Sequence, residues 1–176
     1  FCPQSNFENR EARIIYTGNV GPAYDWETCV QAIKYVSDSS LSLKIVGSGS
    51  QIDKLKEMVS EQGINEQVSF ESSVSQQEVA NLIQHSLIGL APLKNDDSLQ
   101  STVPVKVYEY MASGLPVIGT GGGELEQFLD DSGAGMFVKN DPVELADSIN
   151  TVASNLKKWN KLSRNGPPFI QENHSR

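Results

Sequence analysis

From Arg13 to about Leu156 the chain alternates short β-rich runs with stretches whose apolar residues recur at helical spacing. That alternation is the strongest constraint on what the chain can fold into. The runs expected as strands are Arg13–Gly18, Leu41–Val46, Val68–Phe70, Leu87–Leu93, Pro116–Gly119 and Gly135–Val138. Leu87–Leu93 shows no polar alternation, as a parallel strand covered on both faces requires. Between the runs, Trp26, Val30, Ile33 and Val36 follow Asp25 as N-cap, and Ile52, Leu55 and Val59 stop at Gly63. Ser75 with Glu78 makes a capping box ahead of Val79, Leu82 and Ile83. Val105, Tyr108, Met111 and Ala112 mark a helix opened by Pro104 and closed by Gly114. Asp141-Pro142-Val143-Glu144 supplies an N-cap, an N1 proline and an N3 acid before Leu145, Ile149, Val152 and Leu156. Strand signals separated by helices through short connections mean βαβ units. The expected fold is therefore α/β, a mostly parallel, doubly wound sheet of about six strands with helices on both faces. Trp26, Tyr35 and Phe128 fall on apolar stripes and are expected in the core.

A chain of 176 residues is the length of one domain and needs neither disulfides nor metal to fold. Lys+Arg number 14 against 22 for Asp+Glu, a formal charge of −8. That balance excludes a general nucleic-acid or anionic-membrane binder, which needs surplus positive charge. Cys2 and Cys29 make no disulfide framework and suit a reduced, cytoplasmic setting. No apolar run approaches a transmembrane span, and the start lacks the pattern of a signal peptide. Residues 1–12 are polar without periodicity and read as a linker remnant; 13–156 read as the folded domain. Residues 157–176, with Gly166-Pro167-Pro168, read as a truncated tail that stops without completing an element.

Ligands of parallel sheets sit beyond the carboxyl ends of the strands, so the chemistry is sought in the loops after residues 18, 47, 71, 93, 119 and 138. Gly47-Ser48-Gly49-Ser50-Gln51-Ile52 has the setting of a dinucleotide fingerprint, but Ile52 stands where its third glycine belongs. A tight turn with a close backbone approach fits better. No P-loop motif is present. Gly121-Gly122-Gly123 before Glu124 offers bare N–H groups at a positive helix end, fit for an anion or hydroxylated ligand, or else is only a flexible turn. At the Pro104 helix, the N–H groups of Val105, Lys106 and Val107, with Tyr108 at the margin, are expected to point out of the first turn, where a diphosphate can dock. Lys106 adds a positive charge there. Glu109 lies three residues on, and its carboxylate can accept both hydroxyls of a ribose diol. The alternative is a surface Lys106–Glu109 pair worth a few tenths of a kcal/mol. His85 and His174 with two separated cysteines suggest no zinc site, Asp96-Asp97 reads as a solvated turn, and no serine has a histidine placed for a triad.

Pro104 through Ile118, read as P-x-K-x-x-E-Y-M-A-x-G-x-P-V-I, resembles the signature of retaining GT-B glycosyltransferases of group 1, family 4. Tyr16–Gly21, Ile45–Gly49, Val68-x-Phe70, Gly89–Leu93 and Gly121–Glu124 follow the same family order. The resemblance implies one half of a GT-B fold, a Rossmann-like domain that binds a nucleotide-sugar donor. A separate N-terminal domain would bind a glycan or lipid-linked acceptor. It further implies sugar transfer from a nucleoside diphosphate to an acceptor hydroxyl without a metal or other cofactor. The implied setting is polysaccharide or glycan synthesis in the cytoplasm, or at the cytoplasmic face of a membrane. Carried over by residue, it places the ribose acid at Glu109 and the diphosphate contacts at Lys106, Val107 and Tyr108. Gly18, Asn19 and Gly21 would pass near the phosphates, with Gly47, Gly122 and Gly123 completing the loops, and Ser72–Val74 would lie beside the base.

The chain departs from the family at three places. Ser101 stands where many relatives have an acid, and Asn19 and Tyr24 stand where they have an Arg and a Lys. Each missing cation removes charge-assisted bonds of about 1.5–3 kcal/mol from phosphate recognition. A nucleotide-sugar 2-epimerase of the same fold and a non-catalytic nucleotide-sugar-binding module are the alternative readings.

Overall fold

Every one of the six apolar runs forms a strand in a computed structural model that describes residues 7–72 and 74–174. The strands are β1 (Arg13–Thr17), β2 (Ser42–Val46), β3 (Val68–Glu71), β4 (Ile88–Pro92), β5 (Val117–Thr120) and β6 (Gly135–Phe137). They form one sheet in the order β3-β2-β1-β4-β5-β6, every pair parallel. Helices α1 (Trp26–Ile33), α2 (Ile52–Glu61), α3 (Gln76–His85), α4 (Val105–Ala112), α5 (Gly123–Ser132), α6 (Pro142–Ser154) and α7 (Leu156–His174) follow or connect them. Side chains alternate across the sheet, so Ile14 and Tyr16 pack toward α1, α2 and α6, while Ile15 packs toward α3, α4 and α5. Both faces are covered, and β4 is buried throughout.

Local chemistry sets most helix starts where the residue types predict. Asp25 accepts from Thr28 N–H, Ser75 from Glu78 N–H, and Asp141 from Val143 and Glu144 N–H. Gly63 and Gly114 both take φ +68°, the left-handed conformation that ends a helix at low cost to glycine. Helix α1 stops at Ile33, short of the expected stripe, and Tyr35 is 56% exposed rather than in the core. The helix ends before Tyr35 can turn inward. Trp26 is buried as expected, and its indole N–H donates to Gly21 C=O.

Both end segments read differently in three dimensions. Residues 156–174 are helix α7 rather than an interrupted tail. Trp159, Leu162, Ser163 and Gly166 recur at helical spacing and are buried; the two prolines mask that stripe in the sequence. A side chain at Gly166 would place its Cβ 2.5 Å from Met111 C=O, so glycine is what lets α7 lie against α4. Trp159 Nε1 donates to Leu87 C=O at 2.8 Å. The segment expected to be a linker is likewise tied in from Phe7 onward. Phe7 meets Trp159 edge to face at 5.4 Å. Arg10 lies over the same indole and donates to the carbonyls of Ile83, Ser86 and Ser113. Residues 1–6, including Cys2, and Ser73, Ser175 and Arg176 lie outside the described residues.

The centre of the sheet positions the site. Connections from β1 run to one side and from β4 to the other, and pairing between them ends at Ile15 and Gly89. Beyond that point Tyr110, from α4, takes the partner's place. Its Oη accepts from Thr17 N–H at 3.0 Å and donates to Ile15 C=O at 3.4 Å. The ring lies over Gly89, where a Cβ would come within 2.5 Å of it. The two loops meet again above at the Tyr24–Leu93 bridge, with Lys94 N–H donating to Ala23 C=O. Tyr110→Phe leaves Thr17 N–H buried without its acceptor, and urea denaturation is expected to show a loss of about 1–3 kcal/mol.

Candidate functional site

A cleft of about 730 Å³ opens at this parting of the strands, beyond the carboxyl end of β1 and against α3 and α4. The volume is that of a small-molecule site. Gly18 and Asn19 of the β1 loop, Lys106 and Glu109 of α4, and Tyr24 line it together. The opposite wall is largely apolar: Val74, Val79, Ala80 and Ile83. Residue types alone did not point to that wall, because α3 enters the cleft only through tertiary packing. Val74 falls in the loop expected near a base, and Ser73 of that loop is outside the described residues.

Lys106 is only 9% exposed. Its ammonium lies 4.7 Å from the Tyr16 ring centre and 4.4 Å from that of Tyr24. Nζ donates to Tyr24 Oη at 2.6 Å. Tyr24 in turn packs edge to face on Tyr16 at 5.1 Å and is tilted against Trp26. Burial pushes the Lys106 pKa down to about 8, with the Glu109 charge opposing that shift. Burial likewise raises the Glu109 carboxyl above its ordinary range, with Lys106 opposing. The two are not an ion pair; among the described residues ion pairs join Arg13 to Glu11 and Lys44 to Glu71. A solvated Lys106–Glu109 surface pair is therefore not what forms. Lys106 turns to the phenol, and Glu109 lines the cleft.

The other candidates separate. The helix start is less open than expected, because Val107 N–H donates to Pro104 C=O at 3.0 Å. Val105 and Lys106 remain as the N–H groups of the first turn without an intrahelical acceptor. The Val107 side chain is wholly buried, and Tyr108 turns to Phe128 and His174, at 4.9 and 5.2 Å between ring centres. Gly47 does not line the cleft. It has φ +144°, and a Cβ there would lie 1.9 Å from Gly18 C=O, so it lets the β2 loop press the β1 loop into position. Gly21 lies against Asn19 Nδ2. The three-glycine turn is not bare: Gly121 N–H donates to Asn140 Oδ1 and Glu124 N–H to Gln100 C=O. Gly122 and Gly123 pack on Gln100, outside the cleft. Ser101 sits exposed in the loop before α4. Asp96 caps the short turn Asp97–Leu99 by accepting from Ser98 N–H.

Asn140 is a residue that sequence patterns did not single out. Its Nδ2 donates to Asp25 Oδ2, Leu93 C=O and Thr120 Oγ1, tying the loops after β1, β4 and β5 to one another. Cys29 is a buried free thiol whose pKa burial raises, so it is chemically quiet. Among the described residues no group of three or more His, Cys, Asp or Glu is placed to hold a metal ion, and no helix is long and apolar enough to cross a membrane.

With this geometry in view, the family model of the group 1 glycosyl transferases matches residues 11–155. The chain belongs to that family. No curated protein sequence matches it. Among solved structures, a variant of TarM from S. aureus crystallised with UDP superposes on 94% of this chain with a TM-score of 0.78 at 17% identity. HepE of Anabaena, in complex with UDP-glucose, superposes on 94% with a TM-score of 0.78 at 16% identity. The C-terminal domain of LpcC from Francisella tularensis, a group 1 family protein, superposes on 93% with a TM-score of 0.75 at 18% identity. The chain spans 33% of TarM and 45% of HepE, but 85% of the LpcC domain. The fold is the Rossmann-like half of a GT-B architecture.

The pKa of Lys106 fixes the sign of one pH effect. Between about 8 and 10.5 the unfolded chain holds that proton and the folded chain does not. Stability therefore rises with pH across the window. Lys106→Met is expected to remove this rise, measured as the difference between the two proteins in denaturant midpoints at either end of it.

Proposed function

We propose that this chain is the donor-binding half of a glycosyltransferase and that the cleft takes a nucleoside-diphosphate sugar. The observation that carries the reading is the convergence of Lys106, the first N–H groups of α4, Glu109 and the Gly18–Asn19 loop on one cleft at the parting of β1 and β4. Crystallisation of TarM with UDP and of HepE with UDP-glucose supports it.

The division of labour follows from the chemistry of each group. The diphosphate meets the N–H groups of Val105 and Lys106, the positive end of the helix and the Lys106 ammonium. Glu109 accepts from the ribose diol, a role for a group that only accepts when ionised. The base lies against the apolar wall of α3. When the anomeric C–O bond breaks, negative charge grows on the departing diphosphate. Fixed dipoles and Lys106 stabilise that charge as it develops, with no nucleophile and no metal required from this half. Tyr24, neutral where relatives are cationic, holds the ammonium in place. The acceptor is supplied from a second domain, so this chain alone binds donor without turnover.

Two measurements test the assignment. Glu109→Gln is expected to weaken nucleoside-diphosphate binding at least about tenfold by calorimetry; unchanged affinity rejects the ribose role. Binding of a diphosphate restores the proton to Lys106, so affinity for UDP, GDP or ADP is expected to fall as pH rises past about 8. Proton uptake, seen as a buffer-dependent heat, should accompany binding there and vanish in Lys106→Arg.

A further inference from the structure

The first turns of α7 arrange charge against the local rules of helix stability. Lys157, Lys158, Lys161 and Arg164 place four of the chain's 14 basic residues within eight positions, in a protein of net charge −8. No acid occupies the first turn, where the helix dipole is positive and lysines are unfavourable. The pairs 157–161, 158–161 and 161–164 are like charges at helical contact spacing, each mildly destabilising. None of the four is in an ion pair among the described residues. Trp159, Leu162 and Ser163 face the body of the protein, so the cations lie on the opposite, solvent side and its flank.

These cations also line something. A hollow of about 590 Å³ lies between α7 and β6, with Gly135 and Met136 in its wall beside the four cations and no carboxylate lining it. β6 is one of the two edge strands of the sheet. Ala134 C=O and Val138 N–H are the groups that bond to β5, so the Gly135 N–H belongs to the outer side of the ladder. The hollow adjoins the amino end of β6, whereas the cleft lies beyond the carboxyl ends of a parallel sheet. The two sites are on opposite rims, and a ligand in one leaves the other free.

We propose that this hollow is a second anion site, taking a compact molecule with several clustered phosphate groups. Its size suits a small ligand. Lysines and an arginine without acidic partners are the donors that several phosphate oxygens need. An extended nucleic acid is disfavoured by the chain's net charge of −8. Such an anion relieves the unfavourable charge arrangement on α7.

The probe is inorganic tripolyphosphate, added to ¹⁵N-labelled chain. Saturable amide shifts are expected at Gly133, Gly135 and Lys157–Arg164, separate from any response at Gly18 and Lys106. The Lys158→Glu/Lys161→Glu variant is expected to lose the first set at least about tenfold in affinity and to keep the second. Because carboxylates suit the positive end of a helix, the same variant is expected to melt higher than the parent without ligand. This separates lost binding from lost folding. No saturable shift around α7, or a variant that melts lower and still responds, overturns the proposal. So does a response given by vesicles of anionic lipid and not by tripolyphosphate, which would make the surface a membrane dock.

Discussion

Tyr110 holds apart the two strands between which the cleft is built. Its hydroxyl occupies the hydrogen-bonding groups of β1 that β4 no longer reaches, and its ring takes the space that Gly89 leaves open. An unpaired backbone N–H in a buried sheet is costly, so strands do not part without a substitute partner. The phenol is that substitute. It comes from the helix that also bears Lys106 and Glu109, so the contact that opens the cleft also sets the height and rotation of the residues lining it.

A buried lysine needs more than solvent to remain charged. Lys106 has two aromatic faces within 5 Å and a phenol oxygen, but no carboxylate in contact. Cation–π attraction to a desolvated ammonium is worth about 2 kcal/mol or more, less than full hydration supplies. The depressed pKa records the deficit. On the proposed donor-binding reading, an incoming diphosphate would make it good, its charge compensated by a group that is under-compensated without it. A tight carboxylate pair would have cancelled that advantage.

The loops that frame the cleft are fixed by close approaches rather than by large apolar contacts. Gly47 lets one loop rest on Gly18, Asn140 ties three loops together, and the Tyr24–Leu93 bridge closes the gap above Tyr110. Polar groups converging on backbone carbonyls leave few alternative arrangements, because each alternative strands a buried donor.

The strand count, the parallel sheet, the caps at Asp25, Ser75 and Asp141, and the helix start at Pro104 were all legible in the residues. They depend on neighbours within a few positions, where periodicity and capping act. Lys106 and Glu109 were legible as candidates for the same reason, being one turn apart. What they do with their charges was not. Whether Lys106 pairs with Glu109 or with Tyr24, 82 positions away, depends on how the β1 loop folds over α4. Likewise the free N–H groups expected at the three-glycine turn were taken by Asn140 and Gln100, acceptors that only packing brings within reach, while that of Val107 bonds locally to Pro104. The end segments show the same division. Phe7 and Arg10 carry no local signal of order, yet both pack on Trp159, because burial of an indole and a guanidinium is decided by partners far apart in the chain.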